Sequence, residues 1–317
     1  MNMREQTEKM YGPVRWVDET RGYIECPSID LHTGENKNTD TMVYLDKVPT
    51  IHCVHDSCRE ELQAENRLFR DTMKSHGWKP EPMSQVVKDR LANRNVHEAQ
   101  ARRLAKNTET VLNSFAWSLE EITNDSAPIT NDWLQFLGLW KDDDVIWSGL
   151  PKHSGQLKFR THFRPVSKWK ECETPPYNFI STSVFQNESF ARSKENLVER
   201  RFVVIECDKF FEEALSSTPN PTQADVDQAI QVNMDKSGAV LRYIREVAGW
   251  NLKCVIHSAN KSIHGWFAYP GEEQMNWAAT VLPSLGVDSK TTRPTQPVRT
   301  PGIARENGQM QRLLWIR

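Results

Sequence analysis

The sequence of 317 residues lacks any apolar run of the roughly 20 residues that a membrane-spanning helix needs. Its first residues, MNMREQTEKMYG, contain no apolar segment typical of a secretion signal, so we expect a cytoplasmic protein that does not act at a membrane. Internal repeats are absent, which argues against a repeat architecture. There is also no Gly-x4-Gly-Lys-Ser/Thr loop, which excludes a helicase motor of that type within these residues.

Neither sign of charge is in excess, because 40 Lys and Arg residues stand against 42 Asp and Glu residues, for a net charge of −2. Taken alone, this balance argues mildly against nucleic-acid binding, although the local distribution of charge matters more than the sum. Two segments are locally basic: residues 88–106 and the tail that follows Asp288. The first is also what an ordinary solvated helix surface would look like.

Strand and helix patterns alternate irregularly along the chain, which predicts an α+β fold. Residues 60–120 are rich in helix-forming residues, and residues 221–250 have helical periodicity that we expect Gly238 to divide into two helices. A strand is predicted over 201–210, and LKCVIHS and SIHGWFAY are predicted to form a hairpin.

Cysteine is scarce, but three of the six cysteines lie among histidines in the first sixty residues. Thiols rarely form disulfides in a reducing compartment, whereas zinc takes thiolates and imidazoles as ligands. The candidate ligands are Cys26, His32, His52, Cys53, His55 and Cys58. For the four places we select Cys26, His32, Cys53 and Cys58, with His52 or His55 as the alternatives to one of them. A closed site of this kind is structural, so this module is not expected to perform chemistry itself.

Two acids, Glu206 and Asp208, follow an apolar strand and alternate with Cys207, so both should face the same side. Adjacent carboxylates on one face repel each other unless a cation lies between them, which makes the pair a candidate for binding a divalent metal. The alternative is that both acids simply face water at the end of a strand.

The hairpin carries Lys261, Ser262 and His264 close together. An ammonium, a hydroxyl and an imidazole together suit a triphosphate, which binds several convergent donors. The alternative interpretations are a core histidine bonded to a carbonyl and a lysine exposed in a turn. A third acid, Asp288, follows an apolar step, and the segments RTPGIAR and QRLL come after it.

In this order, VVIECD, SANKSIHGWF, GVD, RTPGIAR and QRLL resemble the catalytic core of the archaeo-eukaryotic primase (AEP) superfamily, in the branch found in phages, plasmids and bacteria. VIWSGLP and SFARSKENLVERR, farther upstream, also look like that branch. The resemblance covers residues 130–317. It implies an RNA-recognition-like sheet and a DNA primase or primase-polymerase, a nucleotidyltransferase that makes primers on single-stranded DNA from nucleoside triphosphates during replication.

The same resemblance implies a role for each matched residue. Glu206, Asp208 and Asp288 would hold two catalytic Mg²⁺ or Mn²⁺ ions, and Ser262 and His264 would contact the triphosphate, with His264 also counted as catalytic. Lys261 and Arg299 are further phosphate candidates, followed by Arg305. Extra prolines between Asp288 and Arg299 leave Arg293 as an alternative to Arg299.

The amino-terminal pattern resembles the zinc modules of phage and plasmid primases, which suggests binding of template or of the initiating nucleotide. We therefore predict a zinc-binding module over 1–62, a helical linker region over 63–125 and a catalytic domain over 126–317, working with a separately encoded helicase. Two alternatives remain: a non-catalytic accessory that binds single-stranded DNA, and a metal-dependent nuclease.

Overall fold

The computed structural model describes residues 2–32, 39–46, 48–79, 85–150, 161–216, 218–290 and 292–317. The chain forms two compact units, Met1–Asp89 and Arg90–Arg317. Residues 80–84 of the predicted linker and Pro151 of the VIWSGLP motif lie outside the described residues. Within the described ranges, no helix combines the length and the apolar character that crossing a bilayer requires.

The structure mixes helices and strands, which confirms the predicted α+β character at that level. The helices are α1 Met3–Tyr11, α2 Arg59–Ser75, α3 Gln85–Lys106, α4 Thr108–Ser114, α5 Leu119–Asn124, α6 Asp132–Leu137, α7 Val166–Trp169, α8 Lys209–Ser216, α9 Gln223–Glu246 and α10 Glu272–Val281. The strands are β1 Arg15–Trp16, β2 Arg21–Tyr23, β3 Thr41–Tyr44, β4 Thr50–Cys53, β5 Val145–Gly149, β6 Phe163–Pro165, β7 Phe179–Ile180, β8 Ser183–Phe185, β9 Leu197–Arg200, β10 Phe202–Glu206, β11 Leu252–His257, β12 Ile263–Ala268, β13 Val298–Arg299 and β14 Arg312–Ile316.

The first unit is built on a four-stranded antiparallel sheet in the order β1-β2-β3-β4. Its core is small and includes Val43, Ile51, Phe69 and Met73, which α2 and the sheet contribute. A core of this size gives limited stability on its own, so we expect an additional stabilising element, such as a bound metal ion.

The second unit is centred on an antiparallel sheet in the order β10-β12-β11-β14. Val203 and Ile205 of β10 pack with α9 and α10 on one face, whereas Phe202 and Val204 belong to the core on the other face. A second sheet, in the order β13-β7-β5-β6, contributes to that other core. Because both faces of the central sheet are covered, its polar residues are confined to the strand ends.

The prediction that Gly238 divides residues 221–250 into two helices is wrong, because α9 runs without a break from Gln223 to Glu246. Gly238 instead allows a close approach: a Cβ at this position would lie 2.0 Å from the carbonyl oxygen of Trp117. The glycine is therefore explained by tight packing in the middle of a helix, and it does not end one.

Candidate functional sites

The four selected zinc ligands come together at one end of the first unit. Cys26 lies before the short 3-10 helix Ile29–Leu31, His32 directly follows that helix, Cys53 ends β4, and Cys58 precedes α2. Their ligand atoms all lie within 4.8 Å of one another, and this is the one such group of three or more found among the described residues.

The spacing of these atoms fits a tetrahedral zinc ion. The Sγ atom of Cys58 lies 3.8 Å from the Sγ atoms of both Cys26 and Cys53, and Cys53 Sγ lies 3.5 Å from His32 Nε2. With Zn–S of about 2.3 Å and Zn–N of about 2.1 Å, a tetrahedron places its sulfur atoms about 3.8 Å apart and nitrogen about 3.6 Å from sulfur. The donor set therefore fits zinc in both chemistry and size.

The two alternative histidines differ in position. His52 is exposed, whereas His55 is half-buried beside the cluster, with its Nδ1 3.3 Å from Cys53 Sγ and its ring centroid 4.0 Å from that of His32. The Nε2 atom of His55 also lies 3.9 Å from Asp40. His55 thus contacts two of the four ligands and is placed to orient them.

A second site lies in the other unit, in a cavity of about 280 Å³. All eight residues predicted for the catalytic or nucleotide-binding site line this cavity: Glu206, Asp208, Lys261, Ser262, His264, Asp288, Arg299 and Arg305. Arg293, the alternative to Arg299, is not among its lining residues. Glu206 and Asp288, which are 82 positions apart in the chain, thus line the same cavity.

The sheet and its connections place the acids. Glu206 ends β10 and pairs in register with His264 of β12, so antiparallel pairing sets these two residues side by side. Asp208 immediately precedes α8. Asp288 is fixed because its backbone N–H donates to the carbonyl oxygen of Glu206 at 2.9 Å, beside a bridge between Cys207 and Val287.

Donors and cations surround Glu206. Ser262 Oγ donates to Glu206 Oε1 at 2.7 Å, and His264 Nε2 lies 3.1 Å from the same oxygen. Burial alone would raise the pKa of Glu206, but His264, Ser262 and Lys261 together outweigh it and lower that pKa to about 2. Glu206 is therefore ionised throughout the physiological pH range.

Asp208 has the opposite balance. Burial and the neighbouring charge of Glu206 raise the pKa of Asp208, although Lys261 Nζ lies 3.2 Å from its carboxylate and acts against the shift. Its Oδ1 atom is buried and has no hydrogen-bond partner among the described residues. An unpartnered oxygen of this kind can accept a hydrogen bond from a ligand or coordinate a metal ion.

Two arginines, Arg299 and Arg305, add positive charge to the lining of the same cavity. The guanidinium of Arg299 stacks 4.1 Å from the ring centroid of Phe179, and burial together with nearby Arg305 lowers the pKa of Arg299. Arg305 Nη1 donates to the carbonyl oxygen of Ser258 at 3.1 Å. An anion bound near both guanidinium groups would offset the repulsion that Arg305 exerts on Arg299.

Sequence reasoning missed Asn233, a fully buried residue of α9. Its Nδ2 donates to the carbonyl oxygen of Lys261 at 2.7 Å, and its Oδ1 accepts from the backbone N–H of Phe211 at 3.1 Å. Asn233 thus joins the turn that carries Lys261 to the helix that follows Asp208. The available signal was an asparagine seven positions before Val240, on a mostly apolar helix face that also carries Ser237.

The carboxylates also fit divalent cations. Oxygen ligands suit Mg²⁺ and Mn²⁺, and the buried, unpartnered Oδ1 of Asp208 supplies an oxygen that no described donor satisfies. Glu206, Asp208 and Asp288 are therefore the residues that would hold such ions, although their carboxylates do not form a close group like that of the four cysteine and histidine ligands.

Comparisons with known proteins give one structural similarity. No protein-family model and no curated protein matches the sequence. Among solved structures, the chain is similar to the AEP domain of the cyanophage S-2L primase-polymerase, with a TM-score of 0.33 and 12% identity. The similarity covers 57% of this chain and 87% of that domain. The function is therefore inferred from the cavity and its residues.

Proposed function

We propose that the chain is a DNA primase or primase-polymerase that joins nucleotides on a single-stranded DNA template. The observation that carries this proposal is the shared cavity, in which three carboxylates lie together with Ser262, His264 and several basic side chains. Carboxylates for metal ions and cations for phosphates are both needed to transfer a nucleotidyl group from a triphosphate.

In this proposal Lys261, Arg299 and Arg305 bind the triphosphate electrostatically, since its phosphates are anionic and all three cations line the cavity. Ser262 and His264 contact the incoming nucleotide. Their contacts with Glu206 Oε1 also keep Glu206 in its ionised form. Divalent ions held by Glu206, Asp208 and Asp288 would activate the attacking 3′-hydroxyl and neutralise charge on the leaving pyrophosphate.

The order of elements supports an RNA-recognition-like core for this unit. Strand β10 is followed by helices α8 and α9, then by the β11-β12 hairpin, then by α10 and the bridge from Val287 back to Cys207. This is a β-α-β-β-α-β succession in which the last β is reduced to the single bridge between Val287 and Cys207. In this arrangement Glu206, Asp208 and Asp288 meet near the carboxyl end of β10.

The Cys and His cluster supports a zinc module as the second part of such a protein. We propose that the module contacts template or the initiating nucleotide, that a separately encoded helicase acts with the chain, and that the division into 1–62, 63–125 and 126–317 reflects these roles. Ribonucleotides and deoxyribonucleotides would be equally suited to the charge pattern of the cavity.

The test is incorporation of labelled ATP and dATP on single-stranded DNA with Mg²⁺ or Mn²⁺. Because Asp208 would ligate metal, we expect Asp208→Asn to lower incorporation by at least about 10³-fold, a loss of the size that removing a key electrostatic group causes. The matched control is Asp142→Asn, because Asp142 is exposed and its carboxylate pairs, among the described residues, with Lys170 at 2.6 Å.

Incorporation by Asp208→Asn at the wild-type rate would contradict the assignment. Strand cleavage without incorporation by the wild-type protein would favour the nuclease instead. Tight binding of single-stranded DNA with neither activity would favour the accessory protein.

A further inference from the structure

The connection between Asp288 and β13 forms part of the cavity wall. We call the described residues 289, 290 and 292–297 the cavity loop; within it, Lys290, Gln296 and Pro297 line the cavity. Short contacts stabilise the start of the loop, where the backbone N–H of Lys290 donates to Asp288 Oδ1 at 2.9 Å. The position of the loop therefore determines where a lysine and a glutamine face the cavity.

Three side chains outside the loop donate to its backbone carbonyl groups. Ser183 Oγ donates to the oxygen of Pro294 at 2.8 Å, Arg192 Nη1 to that of Thr295 at 3.1 Å, and Arg200 Nη2 to that of Thr292. Ser183 and Arg200 belong to the β8 and β9 pair, and Arg192 lies in the segment between these two strands. One hairpin thus supports the middle of the cavity loop.

Arg192 connects the two upstream motifs, VIWSGLP and SFARSKENLVERR, to which the proposed function gives no role. It belongs to SFARSKENLVERR, and its guanidinium stacks 4.1 Å from the ring centroid of Trp147, which belongs to VIWSGLP. Burial lowers the pKa of Arg192 to about 10, so the side chain is still charged at neutral pH. It forms no ion pair with a carboxylate in the part of the chain that the structure describes.

Arg192 is half-buried, and its Nε atom is buried without a hydrogen-bond partner among the described residues. A cation in this position without a carboxylate partner is costly, so simple structural support is an incomplete explanation for it. A neutral donor such as the hydroxyl of Ser183 satisfies a carbonyl of the same loop at lower cost. Arginine offers two further properties: a planar face that stacks on an aromatic ring, and a rigid set of donors that fixes direction.

We propose that Arg192 is a positioning residue for the nucleotide: stacked on Trp147 and bonded to Thr295, it holds the cavity loop so that Lys290 and Gln296 face the triphosphate. This proposal rests on the proposed function for its substrate. The placement of the loop can be tested without any activity.

The first measurement is native-state digestion with trypsin, which cleaves after the exposed Lys290 when the loop opens. We expect Arg192→Met to speed this cleavage about tenfold, because local opening populates the cleavable state. Mass spectrometry identifies the product that starts at residue 291. Arg192→Lys keeps the charge but loses the planar stack, so it should show an intermediate rate.

The matched control is Arg164→Met. Arg164 also stacks on a tryptophan, at 5.1 Å from the ring centroid of Trp169, and it also donates to a carbonyl oxygen, that of Thr161 at 2.7 Å. It makes no described contact with the cavity loop, so its replacement should leave cleavage after Lys290 unchanged. Equal rates in the wild type and in both Arg192 variants would overturn the proposal.

The second measurement is steady-state incorporation. We expect Arg192→Met to raise KM for the nucleotide about tenfold while kcat changes less than about threefold, the pattern of lost binding. A fall in kcat and in melting temperature at unchanged KM would show a structural brace and overturn the proposal. If the wild type incorporates no nucleotide, the proposed function fails, while faster cleavage after Lys290 would still show that Arg192 holds the loop.

Discussion

The two candidate sites differ in how their ligand atoms are arranged. In the first unit, four thiol and imidazole side chains lie at the distances of a tetrahedron. In the second unit, the carboxylates of Glu206 and Asp208 are already in contact with Ser262, His264 and Lys261. The first arrangement would close around one ion, whereas the second is a cavity with room for a substrate.

This difference agrees with the roles proposed for the two sites. A structural zinc ion stabilises a unit whose hydrophobic core is small. All four of its coordination positions are occupied by protein ligands. A catalytic cavity must leave coordination positions open, and its acids must be stable before substrate arrives. Contacts with His264, Ser262 and Lys261 provide that stability for Glu206 and lower its pKa, whereas the ionised form of Asp208 stays disfavoured despite its pairing with Lys261.

The largest effect should come from removing a zinc ligand. We expect Cys58→Ser, or a strong chelator, to abolish cooperative unfolding of the first unit, because structural zinc contributes about 10–16 kcal/mol of apparent binding free energy. Hydrogen exchange should rise across residues 2–79 and stay unchanged in the second unit. Cys172→Ser, at a half-buried position outside the cluster, is the control. A first unit that stays protected without metal would show that its core suffices.

A smaller effect is expected at Glu206, whose folded-state pKa of about 2 lies below its ordinary value of 4.5. Its contribution to stability is fully present above about pH 4.5 and is lost as the pH falls towards 2. We expect Glu206→Gln to cost about 2 kcal/mol at pH 7 and much less near pH 2. Urea unfolding at several pH values measures this. A cost that does not depend on pH would contradict the ion-pair explanation.

Local chemistry in the sequence was sufficient to choose the zinc candidates and the acid pair, whereas Asp288, Arg299 and Arg305 were chosen from the resemblance to the AEP superfamily. Cysteines close to histidines in the sequence indicate a zinc site whatever the surrounding fold. The alternation of Glu206, Cys207 and Asp208 between two faces follows from strand geometry. The structure then places Cys207 in the core and both acids at the cavity. The catalytic roles of these residues stay a prediction.

What could not be predicted depends on packing between distant segments. Gly238 is explained only by the carbonyl of Trp117, more than 100 residues earlier in the chain, and Asn233 only by the turn at Lys261. The position of Arg192 beneath the cavity loop likewise requires the fold. Propensity and periodicity describe one segment at a time, so they carry no information about these contacts.

The smallest effect, with the opposite sign, is expected at Asp208. Its pKa is raised, so the folded protein disfavours the ionised carboxylate, and this cost is present at neutral pH and disappears as the pH falls below the ordinary value of 3.8. Because about a third of the side chain is exposed and screened by solvent, we expect Asp208→Asn to gain only about 0.5 kcal/mol at pH 7. Thermal unfolding at pH 7 and pH 3 measures the difference. An activity-dead variant that is more stable than the wild type would mark Asp208 as kept for function at the expense of stability, whereas a clear loss of stability would show that its pairing with Lys261 is mainly structural.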